Sequence, residues 1–236
     1  MKINIQRESV VTYDVDMQGA TLLEVLNEIK RAQDPSLAYS SGCRSGVCGS
    51  CAVRVNGREV LACSHHAKDG DLVEPLRNTP VLRDLVVDME KAYSFNAKAK
   101  AWQSSLADNV ELSEENQHIN ELQSDCILCA SCYSACPVYA VNGEFLGPFS
   151  LTRVWRYVSD KRESDPKEKI DGVQTNGVWD CTLCNECTLV CPQGISSKAD
   201  IEKLRSKSSM FGYTDPSFGN FGGGFGGGFN DGSPVF

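Results

Sequence analysis

Twelve cysteines are the residues of this chain best suited to chemistry, and their spacings divide them into an early set and two later runs. The early set has the spacing C-x4-C-x2-C-x11-C. This spacing binds a [2Fe-2S] cluster through four thiolates. Small residues between the cysteines allow a loop to wrap closely around such a cluster. The set, called the first cysteine group below, comprises Cys43, Cys48, Cys51 and Cys63.

The last ligand of this group is positioned by a predicted β-hairpin. Residues 51–55 and 58–63 are strand-like, and Asn56-Gly57 between them is a strong two-residue turn signal. In this register Val55 faces Arg58, and the two cysteines at the open end, Cys51 and Cys63, lie close together. The hairpin therefore closes the site.

The later cysteines form two runs with the same pattern, C-x2-C-x2-C-x3-C-P. This doubled pattern is typical of ferredoxins with two [4Fe-4S] clusters, in which the fourth cysteine of each run ligates the other cluster. It predicts a second cysteine group, made of Cys126, Cys129, Cys132 and Cys191. It also predicts a third cysteine group, made of Cys136, Cys181, Cys184 and Cys187.

Other uses of these residues are weaker hypotheses. Zinc sites need paired C-x2-4-C knuckles, and disulfides do not explain the repeated proline-terminated pattern. His65 and His66 follow a cysteine, but a Rieske site needs histidines in place of two cysteines. These two and His118 are expected to be surface residues. The chain has no Gly-rich phosphate motif after a strand, so we expect it to bind neither FAD nor NAD.

The N-terminal half is predicted to be a β-grasp domain. Alternating residues over 1–10 and 11–17 indicate two strands, and Thr21 with Glu24 forms a capping box before a helix whose apolar face is Leu22, Leu26 and Ile29. Helices are predicted in the second half over 113–123, from a Ser150 cap, and over 198–207. The face of the Ser150-capped helix comprises Leu151, Val154, Trp155 and Val158. We expect Trp102, Trp155 and Trp179 to be core residues.

The predicted fold class is therefore α+β, a plant-type [2Fe-2S] ferredoxin domain followed by a helical bacterial-ferredoxin-like domain. The domains are predicted at 1–92 and 93–209, with a linker near 88–105 and a Gly/Phe-rich tail at 210–236. Phe218, Phe221, Phe225 and Phe229 recur in this tail, which suggests the hypothesis that a partner holds it.

Composition excludes some partners. The chain has 236 residues and a formal net charge of −8, which disfavours nucleic acid because phosphate binding needs a basic surface. No run of eighteen apolar residues is present, so we expect no transmembrane span of its own. A protein partner is the remaining expectation.

This arrangement resembles the iron–sulfur subunits of succinate:quinone oxidoreductases and quinol:fumarate reductases, over residues 1–205. The resemblance implies an electron-transfer subunit between an FAD-containing catalytic subunit and a membrane-associated quinone-reactive subunit. The first cysteine group would then lie nearest the flavin. The chain would be peripheral on the membrane, on the cytoplasmic side by default and on the periplasmic side if it is exported with a partner.

Three positions depart from the family pattern. Most members lack a cysteine at the position of Cys184 and hold a [3Fe-4S] cluster there, so we expect [4Fe-4S] here, or [3Fe-4S] if Cys184 does not ligate. The family's quinone-contacting tryptophan and a neighbouring histidine correspond to Val141 and Thr182. These departures resemble the type E branch, which includes methylmenaquinol:fumarate reductase and has a cysteine-rich membrane partner with CCG domains.

Two other functions stay open at this point. The chain could serve another flavoprotein reductase, such as a thiol-linked fumarate reductase. It could also be a free multi-cluster ferredoxin, which the large second domain disfavours. The sequence does not indicate the direction of turnover or the quinone.

Overall fold

The structure is a computed structural model that describes residues 1–104 and 106–219. Its N-terminal half is built on a five-stranded mixed sheet with strand order β2-β1-β5-β3-β4. Strands β1 and β5 are parallel, and the other neighbours are antiparallel. The strands are β1 (Lys2–Gln6), β2 (Val10–Asp14), β3 (Ala52–Val55), β4 (Arg58–Leu61) and β5 (Leu72–Glu74).

Helix α1 (Leu22–Ala32) supplies the apolar layer that covers this sheet. The predicted capping box is present. The Thr21 hydroxyl accepts a hydrogen bond from the Glu24 N–H, and the Glu24 carboxylate accepts one from the Thr21 N–H. All three predicted apolar residues of the helix are buried in the same hydrophobic cluster as Ile3 and Val73 of the sheet. The β-grasp prediction is confirmed.

The hairpin register is also confirmed, with Val55 paired to Arg58 and Ala52 paired to Leu61. The central strand β5 was not predicted from sequence. It pairs with both β1 and β3, although only Val73 of its three residues is buried. A three-residue strand gives too little alternation to be recognised.

A two-stranded ribbon and a helix lead into the second half. They are β6 (Val81–Arg83), β7 (Val86–Val87) and α2 (Glu90–Lys98). The segment predicted as a linker thus contains a helix, with Ala92 and Phe95 buried. The predicted boundary between residues 92 and 93 lies inside α2 and stays a prediction.

The second half is helical, as predicted. Its helices are α3 (Glu114–His118), α4 (Glu121–Ser124), α5 (Ser131–Ser134), α6 (Pro137–Val141), α7 (Pro148–Val158), α8 (Pro166–Asp171), α9 (Glu186–Leu189), α10 (Ser197–Met210) and α11 (Pro216–Gly219). The predicted helix over 113–123 is two short helices, and α10 extends the predicted 198–207 helix at both ends. The predicted tail begins at the end of α10, and its Phe221 and Phe225 lie outside the described residues, as does Phe229.

The Ser150 cap was wrong. Helix α7 begins at Pro148, with Gly147 as N-cap at φ 81°. Proline suits a first helical position because its missing N–H would have no partner there. Ser150 lies inside the helix, where its hydroxyl is 3.1 Å from the Tyr133 hydroxyl and donates to Asn96 Oδ1 over 3.1 Å.

The tryptophan prediction was correct in part. Trp155 and Trp179 are partly buried and pack against the hydrophobic core. Trp102 is 45% exposed, so its assignment to the core was wrong. It lies between α2 and α3, in a segment without regular structure.

Side chains of the first half are inserted into the second half. The amide of Asn78 donates to the carbonyls of Tyr133 and Ser134, each over 3.0 Å. The buried Ser134 hydroxyl donates to Glu59 Oε1 over 2.7 Å. One hydrophobic cluster includes buried residues of both halves. The halves therefore share one core.

Candidate iron–sulfur centres

The first cysteine group lies in the loop between α1 and β3 and at the end of β4. Backbone N–H groups of Ser45 and Val47 both donate to Cys43 Sγ over 3.4 Å, and the Cys43 N–H donates to Cys48 Sγ over 3.3 Å. A Cβ on Gly42 would lie 2.9 Å from Cys48 Sγ, so a larger residue there would force that sulfur to move. The loop is thus built to bring amides to sulfur.

The hairpin brings the remaining two cysteines of this group together. The Ala62 N–H donates to the Cys51 carbonyl over 3.0 Å, which extends the ladder beyond β4 to the residue before Cys63. Burial raises the pKa of the Cys51 thiol to about 11, whereas N–H donors from Ser45 and Val47 lower the pKa of Cys43 to about 6. The group spans the buried hairpin and the exposed loop.

The four thiols of the second cysteine group line one cavity. Its other walls are mostly apolar and include Phe149, Ile195 and Thr152. The first three cysteines of the middle run and the last cysteine of the final run therefore lie around the same cavity. The residues around it are Cys126, Cys129, Cys132 and Cys191.

The third cysteine group lines a separate cavity, with Phe145 and Pro148 among its walls. Its thiols are those of Cys136, Cys181, Cys184 and Cys187. Cys184 lines this cavity together with the others although it is an exposed residue. Val141 is 87% exposed, whereas Thr182 is exposed and lines the third group's cavity.

The two later runs have the same backbone conformation. Leu128 and Ala130 have φ values of 54° and 59°, and Leu183 and Asn185 at the equivalent positions have 55° and 72°. Left-handed leucine is rare, and such backbone is held only where the surroundings demand it. In the last run this turn lets the Leu183 N–H donate to Cys181 Sγ over 3.4 Å. The sequence repeat is therefore also a structural repeat.

The chemistry of these side chains fits iron–sulfur clusters. Four thiols converge on each cavity, and cluster iron is ligated by thiolates. Burial raises the pKa of Cys132 far above its ordinary value and that of Cys187 to about 12. Bound metal deprotonates such thiols outright, so loading and ligand ionisation are linked.

Single-ion sites are a different matter. Within residues 1–104 and 106–219, no group of three or more His, Cys, Asp or Glu residues is arranged to hold a metal ion. The histidines have other partners: His65 faces Asp71, His66 faces the Gly19 carbonyl and His118 faces Glu121.

The first and second cysteine groups touch at two points that sequence reasoning missed. Gly49 packs against Ile127 and Cys129, and Gln193 Nε2 donates to the Gly46 carbonyl over 3.1 Å. These contacts join residues far apart in the chain, so no local pattern could have indicated them.

Comparison with known proteins decides the family. Residues 2–94 match the model of a 2Fe-2S iron–sulfur cluster binding domain, and residues 122–195 match that of a 4Fe-4S dicluster domain. The 8-methylmenaquinol:fumarate reductase iron–sulfur subunit of Wolinella succinogenes is 38% identical over 80% of this chain and 64% of its own length. The fumarate reductase iron–sulfur subunit of Escherichia coli O157:H7 is 36% identical over 84% of this chain and 85% of its own length.

The chain belongs to the family of fumarate reductase and succinate dehydrogenase iron–sulfur subunits. Its cofactors are one [2Fe-2S] cluster in the first half and two further iron–sulfur clusters in the second half. The chain spans just under two thirds of the length of its Wolinella relative.

A solved structure has the same fold. A chain of the Mycobacterium smegmatis Sdh1 complex in the apo form superposes with a TM-score of 0.78 at 24% identity, covering 90% of this chain and 97% of that one. Among the helices that the structure describes, none has both the length and the hydropathy to cross a bilayer. The α+β prediction is confirmed.

Proposed function

We propose that this subunit relays electrons between an FAD-containing catalytic subunit, where succinate and fumarate interconvert, and a membrane-associated quinone-reactive subunit. When bound, each cluster accepts and releases one electron. The protein's part is to hold the clusters through the twelve thiols, in three groups of four as defined above. The observation that carries the proposal is that the three groups form a series.

The contacts between neighbouring groups support this order. The first group's loop touches the second group through Gly49 at Cys129, and Gln193, two residues after Cys191, reaches the same loop. The second and third groups adjoin because α5, which carries Cys132, packs against α9, which carries Cys187. Electrons would therefore pass from the first group to the second and then to the third.

The two ends of the series face different partners in this proposal. The first group would lie toward the flavoprotein and the third toward the membrane partner. Because Val141 replaces the family's quinone-contacting tryptophan and Thr182 replaces a histidine of the family pattern, the quinone would bind on a membrane partner of the CCG-domain, cysteine-rich type. The complex would be peripheral on the membrane, on its cytoplasmic side.

The third centre is proposed to be [4Fe-4S]. Cys184 lines the same cavity as Cys136, Cys181 and Cys187, which supplies a fourth thiolate.

The proposal also divides the chain into domains at residues 1–92 and 93–209 and a tail at 210–236. The tail would bind a partner.

The experiment is to purify the complex anaerobically and to reduce it first with succinate and then with dithionite. Metal analysis should find about ten irons and acid-labile sulfide per chain. Low-temperature EPR should show clusters reduced by succinate, and a flavoprotein should co-purify. Zinc without sulfide would contradict the cluster assignment. The succinate/fumarate function would be contradicted if the co-purified flavoprotein used a thiol as its electron donor. It would also be contradicted if the chain were stable without a partner and carried all its clusters.

A further inference from the structure

Gly49 occupies a position where the first and second cysteine groups meet without space for a side chain. A Cβ at this residue would lie 2.8 Å from Cys129 Cβ and 2.9 Å from the Ile127 carbonyl oxygen. Both obstacles belong to rigid backbone or to a thiol-bearing residue, not to the end of a flexible side chain. Gly49 also has φ +73°, where only glycine is unstrained.

A second contact joins the same two groups from the other cysteine run. Gln193 Nε2 donates to the Gly46 carbonyl over 3.1 Å, two residues after Cys191. The loop of the first group is thus held against both segments that form the second group, one through Cys129 and one through Cys191. Both cysteine runs that form the second group therefore contact the loop of the first group.

We infer that Gly49 is a positioning residue that sets the spacing between the first and second centres, with Gln193 holding the loop in register. The inference rests on the proposed electron relay. Relief of the contact from 2.8 Å to an ordinary 3.4 Å requires a separation of about 0.6 Å. Because electronic and magnetic coupling between two centres weakens with distance, an added methyl group should reduce both.

The test compares Gly49→Ala with Gly19→Ala in the anaerobically purified complex. Gly19 has nearly the same backbone angle, φ +75°, but a Cβ there would meet nothing within 4 Å. The control therefore carries the backbone strain without the steric contact. A second variant, Gln193→Met, removes the donor to Gly46 at similar length and adds no backbone strain.

Two quantities are measured after dithionite reduction and rapid reoxidation. EPR reports the spin–spin interaction between the reduced first and second centres, and stopped-flow absorbance reports transfer between them. We expect Gly49→Ala to lose part of the interaction and to transfer electrons more slowly, with the [2Fe-2S] spectrum itself retained. Gln193→Met should show a smaller loss in the same direction, and Gly19→Ala should match the wild type.

The inference is overturned if Gly49→Ala matches Gly19→Ala in both readouts, or if the wild-type centres show no interaction. It is also overturned if Gly49→Ala loses the [2Fe-2S] spectrum while Gln193→Met leaves the interaction unchanged, since glycine would then serve the loop alone. Dithionite reduces the centres without a flavoprotein. A failure of the succinate assay would thus be distinguishable from a failure of this inference.

Discussion

A buried ion pair joins α8 to the residues just before it, and the same lysine is hydrogen-bonded to the segment after α2. Lys169 Nζ lies 2.8 Å from Glu163 Oε2, and both side chains are completely inaccessible to solvent. Lys169 also donates to the Ser104 hydroxyl over 2.7 Å. The position of the segment after α2 therefore depends on a charged pair that is buried away from water.

Replacing Lys169 with methionine should destabilise the protein strongly. The substitution leaves the Glu163 carboxylate buried without its cation, and breaking a buried pair in this way costs about 3–5 kcal/mol. For a protein of this size the loss corresponds to a fall in Tm of roughly 6–20 °C. Replacing both partners, Lys169→Met with Glu163→Gln, should restore most of the loss because no buried charge is left uncompensated.

Lys167 on the same helix is a matched control. Its Nζ lies 2.7 Å from Asp171 Oδ2, but the two side chains are 54% and 42% exposed. An exposed pair contributes little, so Lys167→Met should leave the Tm nearly unchanged. Anaerobic thermal unfolding followed by circular dichroism measures all four proteins. The reasoning is refuted if Lys169→Met lowers the Tm no more than Lys167→Met does.

Three further predictions concern single side chains. Burial raises the pKa of Asp200 to about 6, so its ionisation destabilises the native state increasingly as pH rises from about 4 through 6, by up to about 3 kcal/mol. Asp200→Asn should therefore raise the Tm at pH 8 and change it little at pH 4. Cys184→Ser should convert the third centre to a [3Fe-4S] EPR signal, because one iron loses its thiolate. Ser134→Ala should cost about 1.5–3 kcal/mol in chemical unfolding, since the buried Glu59 carboxylate loses a donor at 2.7 Å.

Each of these has a result that contradicts it. For Asp200→Asn it is a Tm difference that stays the same at both pH values. For Cys184 it is a strong [3Fe-4S] signal from strictly anaerobic wild-type protein. For Ser134→Ala it is an unfolding free energy no lower than that of Ser209→Ala, a change at an exposed hydroxyl bonded to Arg205 of its own helix.

Local features of the fold could be predicted because a few neighbouring residues determine them. The Asn56-Gly57 turn fixed the pairing of Val55 with Arg58, and the capping box of Thr21 and Glu24 fixed the start of α1. Both depend on backbone geometry over four residues or fewer. Within each run the cysteine spacings are equally short, whereas the exchange of Cys136 and Cys191 between the runs follows from the known pattern of two-cluster ferredoxins.

Features set by distant contacts could not be predicted. Strand β5 is central only because β1 and β3 flank it, and its three residues have no distinctive pattern. The start of α7 is a different case because its signal is local: proline suits a first helical position, so Pro148 was a better indicator than Ser150. Gln193 meets Gly46 across 147 positions of sequence, and nothing near either residue indicates the other.

The hydrophobic core crosses the boundary between the half with the [2Fe-2S] site and the half with the other two cluster sites. Phe95 of α2 is fully buried, stacks on Tyr133 with ring centroids 6.3 Å apart, and meets the edge of Tyr139 at 6.1 Å. Tyr133 lies within the middle cysteine run, and Tyr139 lies three residues after its last cysteine. Aromatic packing of this kind adds to the apolar burial that fixes the two halves relative to one another. A continuous core therefore holds the two halves together, and Gly49 lies where the loop of the first cysteine group contacts the second.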